Sequence, residues 1–88
     1  MDSPPAIAVV IPALDEEEAI GKVLRDIPDI VRQVVVVDNG SRDRTGEVAR
    51  DLGALVVAEP RRGYGQACLT GIAQLDHPDI VVFLDGDY

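Results

Sequence analysis

Two carboxylates flank a glycine in Asp85-Gly86-Asp87, directly after the apolar run Ile80 to Leu84. Hard carboxylate oxygens at this spacing suit Mg²⁺ or Mn²⁺. Protein sites for such ions usually supply one or two carboxylates and leave the rest of the shell to water and substrate phosphates. A solvated Asp-Gly turn has the same composition, so the buried run before it and the nearby Asp38 favour the metal-site reading. Gly86, lacking a Cβ, allows the backbone to approach a ligand closely. Asp38 follows four valines and precedes Asn39-Gly40-Ser41. Its carboxylate can accept from a base imide or a ribose hydroxyl. The competing role is capping the next helix, which Ser41 or Asp43 can also perform, leaving Asp38 free. Glu16 has two roles open to it as well: a charge complementing a helix dipole, or a ligand contact.

These residues need a scaffold that brings them to one edge. Four short apolar runs, rich in β-branched residues, punctuate the chain: Ile7 to Ile11, Val34 to Val37, Leu55 to Val57 and Ile80 to Leu84. Runs apolar on both faces suit strands covered on both sides, as in a parallel sheet. Helical periods lie between them. Ile20, Val23, Leu24 and Ile27 share one face of a first helix, with Asp15 and Glu18 as a capping-box-like start and Pro28 as a stop. Val48, Ala49 and Leu52 mark a second helix closed by Gly53. Cys68, Ile72 and Leu75 mark a third, with Cys68 read as a packed core residue. The order β-α-β-α-β-α-β predicts an α/β fold with a Rossmann-like parallel sheet. Such sheets bind ligands beyond the carboxyl ends of their strands. Carboxylates gathered there repel one another unless a cation or a donor-rich ligand lies among them.

Composition removes several other classes. Eight basic residues against sixteen acidic ones give a net charge of −8, which disfavours binding to phosphate backbones. One cysteine allows neither an internal disulfide nor a cysteine-built zinc site. No apolar run approaches the roughly 20 residues of a membrane helix. The acidic, Pro-rich start from Met1 to Pro5 is unlike a signal peptide, so the simplest location is cytoplasmic. Gly63-Tyr64-Gly65-Gln66-Ala67-Cys68 is not a dinucleotide loop, because its third glycine is replaced by Cys and it follows the third strand. His77 reads as a solvated loop residue. Tyr64 is open between a ligand contact and a helix cap.

Several motifs occur in order: Ile11-Pro12-Ala13-Leu14-Asp15-Glu16-Glu17, Val37-Asp38-Asn39-Gly40-Ser41 with Asp43-Arg44-Thr45, Gly63-Tyr64-Gly65 with Ala67 and Gly71, and Asp85-Gly86-Asp87. Together they resemble the N-terminal half of a family 2 glycosyltransferase with the GT-A fold. The nearest branch is that of polyprenyl-phosphate sugar transferases. The resemblance spans Ile7 to Tyr88. It implies inverting transfer of a sugar from a UDP- or GDP-sugar to an acceptor, with a polyprenyl phosphate as one candidate, in a cytoplasmic or membrane-face setting. It places Pro12, Ala13, Leu14, Glu16 and Asp38 at the nucleoside. Asp85-Gly86-Asp87 becomes the family's DxD motif, with Asp85 near the ribose or metal and Asp87 as a ligand of Mg²⁺ or Mn²⁺. The family usually has Asn at Asp15, and both residues are expected to cap a helix. Many members carry an Arg where Thr70 stands, so Arg61 or Arg62 is the expected substitute for that charge. The catalytic base is expected downstream, so the chain reads as residues 1–88 of a donor-binding half that stops after its DxD motif. Two other classes remain in view. One is a non-catalytic nucleotide-binding fragment. The other is a phosphoacceptor receiver module, against which stand Glu59-Pro60 after the third strand and the lack of a late Lys.

Overall fold

The computed structural model describes residues 4–87. Met1 to Ser3, part of the acidic start, and Tyr88, where the resemblance ends, lie outside them. The described chain runs β1 (Ile7–Ala13), α1 (Glu17–Arg25), β2 (Val31–Asp38), α2 (Thr45–Asp51), β3 (Leu55–Ala58), α3 (Tyr64–Ala73) and β4 (Ile80–Phe83). All pairings are parallel, and the sheet order is β3-β2-β1-β4. The expected α/β class and the alternating element order are both observed.

Each apolar run divides its side chains between two cores. Val9, Ile11, Ala13 and Val36 pack with Ile20, Val23 and Ala49, so α1 and α2 cover one face. Val10, Val35 and Val37 pack with Ala67 of α3 on the other. This double coverage explains why β1 and β2 read as continuous apolar runs and not as alternating ones.

Three helix details differ from expectation. In α1 the N-cap residue is Glu16, and Asp15 adopts a left-handed φ of 53° outside the helix. Asp and Asn tolerate that conformation better than most residues, so an Asp/Asn exchange here concerns backbone geometry and not capping. The helix also ends at Arg25, before Pro28, and Ile27 packs against the core from the following loop. In α3 the buried residues are Ala67 and Gly71, while Cys68 is half-buried and Ile72 is exposed. The reason is steric. A Cβ on Gly71 would lie 2.4 Å from Val10 Cγ1 and 3.0 Å from Val37 Cγ2. The helix therefore approaches the sheet through its smallest residues, which carry little apolar signal.

The chain passes from β1 to β2 and β3 on one side, then returns to place β4 on the other side of β1. The carboxyl ends of β1 and β4 thus flank the point where the strand order reverses, the usual ligand position in open α/β sheets.

Candidate functional site

β1 outlasts its ladder with β4. Their pairing stops at Val10 with Phe83, yet β1 continues to Ala13. After Leu84 donates its N–H to Val10 O, the chain from Asp85 to Asp87 runs beside the free end of β1. Gly86 is buried there. A Cβ on it would sit 3.2 Å from Ala13 Cβ and 3.3 Å from both Pro12 O and Glu16 Cγ. The close approach that Gly86 permits is therefore to β1 and the start of α1. Asp85 and Asp87 flank it, both exposed.

A cleft of about 400 Å³ opens at this junction, lined by Pro12, Ala13, Leu14, Glu16, Asn39, Tyr64, Asp85, Gly86 and Asp87. That volume is in the range of small-molecule sites. All the residues expected at the donor or metal come together here except Asp38. Asn39 and Tyr64 join them. Tyr64 therefore faces the cleft, and Asn39 is placed there by its position directly after the carboxyl end of β2.

The lining contains three carboxylates and no Lys or Arg. Desolvation raises the Glu16 pKa, and the charges of Asp87, Asp43 and Asp15 raise it further. The Tyr64 phenol is also pushed up, first by desolvation, then by the Cys68 thiol and the charge of Asp85. The field is therefore one-signed. Among the described residues, no group of three His, Cys, Asp or Glu side chains gathers as a complete metal cage. Two hard-oxygen donors at Asp85 and Asp87 fit Mg²⁺ or Mn²⁺ in the manner of sites completed by substrate phosphates.

Asp38 stands outside the lining because its carboxylate has other work. Its Oδ1 accepts from Ser41 N at 2.8 Å, and Oδ2 faces Gly46 of α2. Of the two residues expected to serve α2 and leave Asp38 free, Ser41 does not, since its Oγ accepts from Asp15 N at 2.9 Å, and Asp38 is not free. Asp43 does serve α2, accepting from Thr45 N at 3.0 Å. The bond from the Thr45 hydroxyl, with further backbone bonds, holds the Asp43 carboxyl below its ordinary range.

Around this the β1–α1 and β2–α2 loops are laced reciprocally. Glu16 N donates to Thr45 Oγ1 at 2.8 Å, and Glu17 N donates to Asp43 Oδ2 at 3.1 Å. In return Arg42 N donates to Asp15 Oδ1 at 2.7 Å, and Arg44 N donates to Glu17 Oε1 at 3.0 Å. Each helix start is satisfied from the other loop, so Glu16 reaches the cleft from a fixed base. The expected substitution of positive charge by Arg61 or Arg62 is not found at the cleft. Neither lines it, and Arg61 pairs with Glu59 at 3.0 Å.

A parallel sheet with a cleft at its switch point defines a ligand-binding open α/β protein. More narrowly, the chain belongs to glycosyl transferase family 2, whose sequence model matches residues 8–88. It is 48% identical over 82 residues to an uncharacterized glycosyltransferase of Mycobacterium tuberculosis, covering 93% of this chain and 37% of that protein. It is 45% identical over 83 residues to a dolichyl-phosphate hexose transferase of Haloferax volcanii, covering 92% of this chain and 36% of the other. Among solved structures, it resembles glucosyl-3-phosphoglycerate synthase of Mycobacterium tuberculosis in complex with Mn²⁺, UDP and glucosyl-3-phosphoglycerate. There the TM-score is 0.84 at 38% identity, over 94% of this chain and 34% of that one. The same enzyme has been solved with Mg²⁺ and UDP. The chain thus spans about a third of the length of these relatives, and its fold is of the GT-A type.

Proposed function

We propose that these 88 residues form the donor- and metal-binding part of an enzyme that transfers a sugar, with inversion, from a nucleotide-sugar to an acceptor. One observation carries the reading: the switch-point cleft presents Glu16, Asp85 and Asp87 without a cationic side chain. A diphosphate would be repelled there unless a divalent cation lay between. Asp85 and Asp87 would hold that cation, which when bound supplies Lewis-acid neutralisation of the departing diphosphate. Pro12, Ala13, Leu14 and Glu16 would form the nucleoside side. Asp38 would act behind it, keeping the β2–α2 loop in place.

In the reaction, an acceptor oxygen attacks the anomeric carbon from the face opposite the diphosphate. The bond from that carbon to the diphosphate oxygen breaks, and its electron pair leaves with the nucleotide. We assign no general base among the cleft residues. A phosphate acceptor is already anionic and needs little assistance, whereas a hydroxyl acceptor would call on one.

The crystal complexes of the synthase with UDP and UDP-glucose favour a UDP-sugar as donor. The similarity to a dolichyl-phosphate hexose transferase supports a polyprenyl phosphate as acceptor, reached at the cytoplasmic face of a membrane. A phosphoglycerate is the competing acceptor, supported by the synthase complexes. Calorimetric titration with UDP and GDP, with and without Mn²⁺, tests the site. UDP is expected to bind in a metal-dependent manner, and Asp87→Asn is expected to weaken that binding at least about 10-fold. Metal-dependent binding of neither nucleotide would overturn the proposal. Product analysis with UDP-glucose and either dolichyl phosphate or 3-phosphoglycerate then separates the two acceptors.

A further inference from the structure

Glu59 is the one acidic residue buried among the described residues, at 3% exposure. Nothing in the proposed reaction uses it. It follows β3 and extends the ladder, donating its N–H to Asp38 O at 2.9 Å. Its carboxylate then organises the turn into α3. It accepts from Arg61 N at 2.8 Å, Arg61 Nε at 3.1 Å and Arg61 Nη2 at 3.0 Å. From the helix itself it accepts from the Thr70 hydroxyl and, at 3.5 Å, from Gln66 Nε2. One buried side chain therefore ties the loop to the first and second turns of α3.

The same loop is held from its outer side. Asn39 Nδ2 donates to Glu59 O at 2.7 Å and to Arg61 O at 2.8 Å. Two residues later Gly63 turns the chain with φ 122°, a value that excludes most other residues, and Tyr64 opens α3. Asn39 and Tyr64 both line the cleft. The loop that Glu59 fixes thus leads directly into Tyr64 and is bonded to Asn39, two residues of the cleft lining.

We infer that Glu59 is a positioning residue for the nucleotide-sugar cleft, which fixes the β3–α3 loop so that Asn39 and Tyr64 form a preorganised wall. The inference rests on the proposed donor site. A well-packed wall places its contacts before the ligand arrives, so its loss appears as weaker binding. Glu59 touches no ligand in this scheme and acts through Tyr64.

A double-mutant cycle on the protein tests it, read by UDP affinity in saturating Mn²⁺. Glu59→Gln removes the charge but keeps the shape, and is expected to weaken UDP binding about 5- to 20-fold. Tyr64→Ala should weaken it by a similar factor. The double variant should be little worse than Tyr64→Ala alone, because Glu59 acts on the site chiefly through Tyr64. Hydrogen exchange without ligand should show residues 60–66 opening faster in Glu59→Gln while β1 stays protected. Arg61→Leu, at a largely exposed side chain, supplies the same cycle if Glu59→Gln does not fold, with a smaller loss expected. Additive losses in the cycle, or unchanged UDP affinity beside a lowered melting temperature, would overturn the inference and leave the donor site standing. A wild-type protein that binds neither UDP nor GDP would overturn the donor site itself, and with it the wall.

Discussion

Gly86 shows what a single residue contributes to this site. In the sequence it read as a gap for a ligand between two acids. In the fold the missing Cβ is a gap for β1, and that contact sets where Asp85 and Asp87 stand. Pro12 O and Ala13 Cβ belong to, or sit directly on, the backbone of a buried strand and cannot yield easily. Gly86→Ala should therefore displace the acidic pair more than it destabilises the fold. We expect metal-dependent UDP affinity to fall about 10-fold or more while the melting temperature drops by only a few degrees. Parallel calorimetric titration and thermal melts check this, and intact affinity would show that the pair is not held by this contact. At the same scale Asp38 was only partly legible. Its position at the end of β2 followed from the valine run, but its partner did not. Ser41, Asp43 and Asp15 can each donate or accept locally, and only the three-dimensional lacing decides which pair forms.

At the scale of elements, strands were easier to read than helix starts. Consecutive apolar, mostly β-branched residues marked all four strands where expected, although only the central β1 and β2 are well buried and the edge strands β3 and β4 are half-exposed, against the expectation of cover on both faces. The caps of α1 and α2 did not, because each is completed by the other loop across 26 to 29 residues of sequence. Local cap signals such as Asp15 and Glu18 cannot encode a partner at that distance. The third helix failed differently: its contact face is made of Ala67 and Gly71, and hydrophobic periodicity favours larger residues. Thr45 is the joint of the reciprocal caps. It is fully buried, accepts from Glu16 N and donates to Asp43. Thr45→Val keeps the volume but leaves the Glu16 N–H without its acceptor. The expected cost is about 1–3 kcal/mol, together with weaker nucleotide binding as Glu16 loosens. Chemical denaturation measures the first and titration the second. A neutral Thr45→Val would mean that water replaces the hydroxyl at no cost.

At the scale of the whole molecule, topology was legible because parallel strands joined by helices leave few ways to assemble, and the switch point follows from the strand order. The charge balance was less so. A net charge of −8 does not tell which acids are held and which are strained. The fold separates them. Glu59 is held: bonds from Arg61 and Thr70 bring its pKa to about 2, against an ordinary 4.5. Asp43 is held in the same direction by Thr45. Glu16 is strained, with its pKa raised by desolvation and by neighbouring acids. For the first two, the unfolded chain binds protons more readily than the folded one in acid. For Glu59 the stabilisation is therefore complete above the unfolded value and is lost as pH falls through the window from about 4.5 to about 2, and that of Asp43 is likewise lost as pH falls below its ordinary 3.8. Glu16 has the opposite sign, because protonation relieves its repulsion, and it offsets part of the loss at the upper edge of that window. Thermal melts should show a plateau at neutral pH and a fall below about 4.5. Glu59→Gln should start from a lower plateau and fall less across the same window, since the proton uptake linked to that carboxyl is gone. Wild-type and variant curves that run parallel through acid would show that Glu59 does not carry this linkage, and would place the acid sensitivity on Asp43 and the loop lacing it serves.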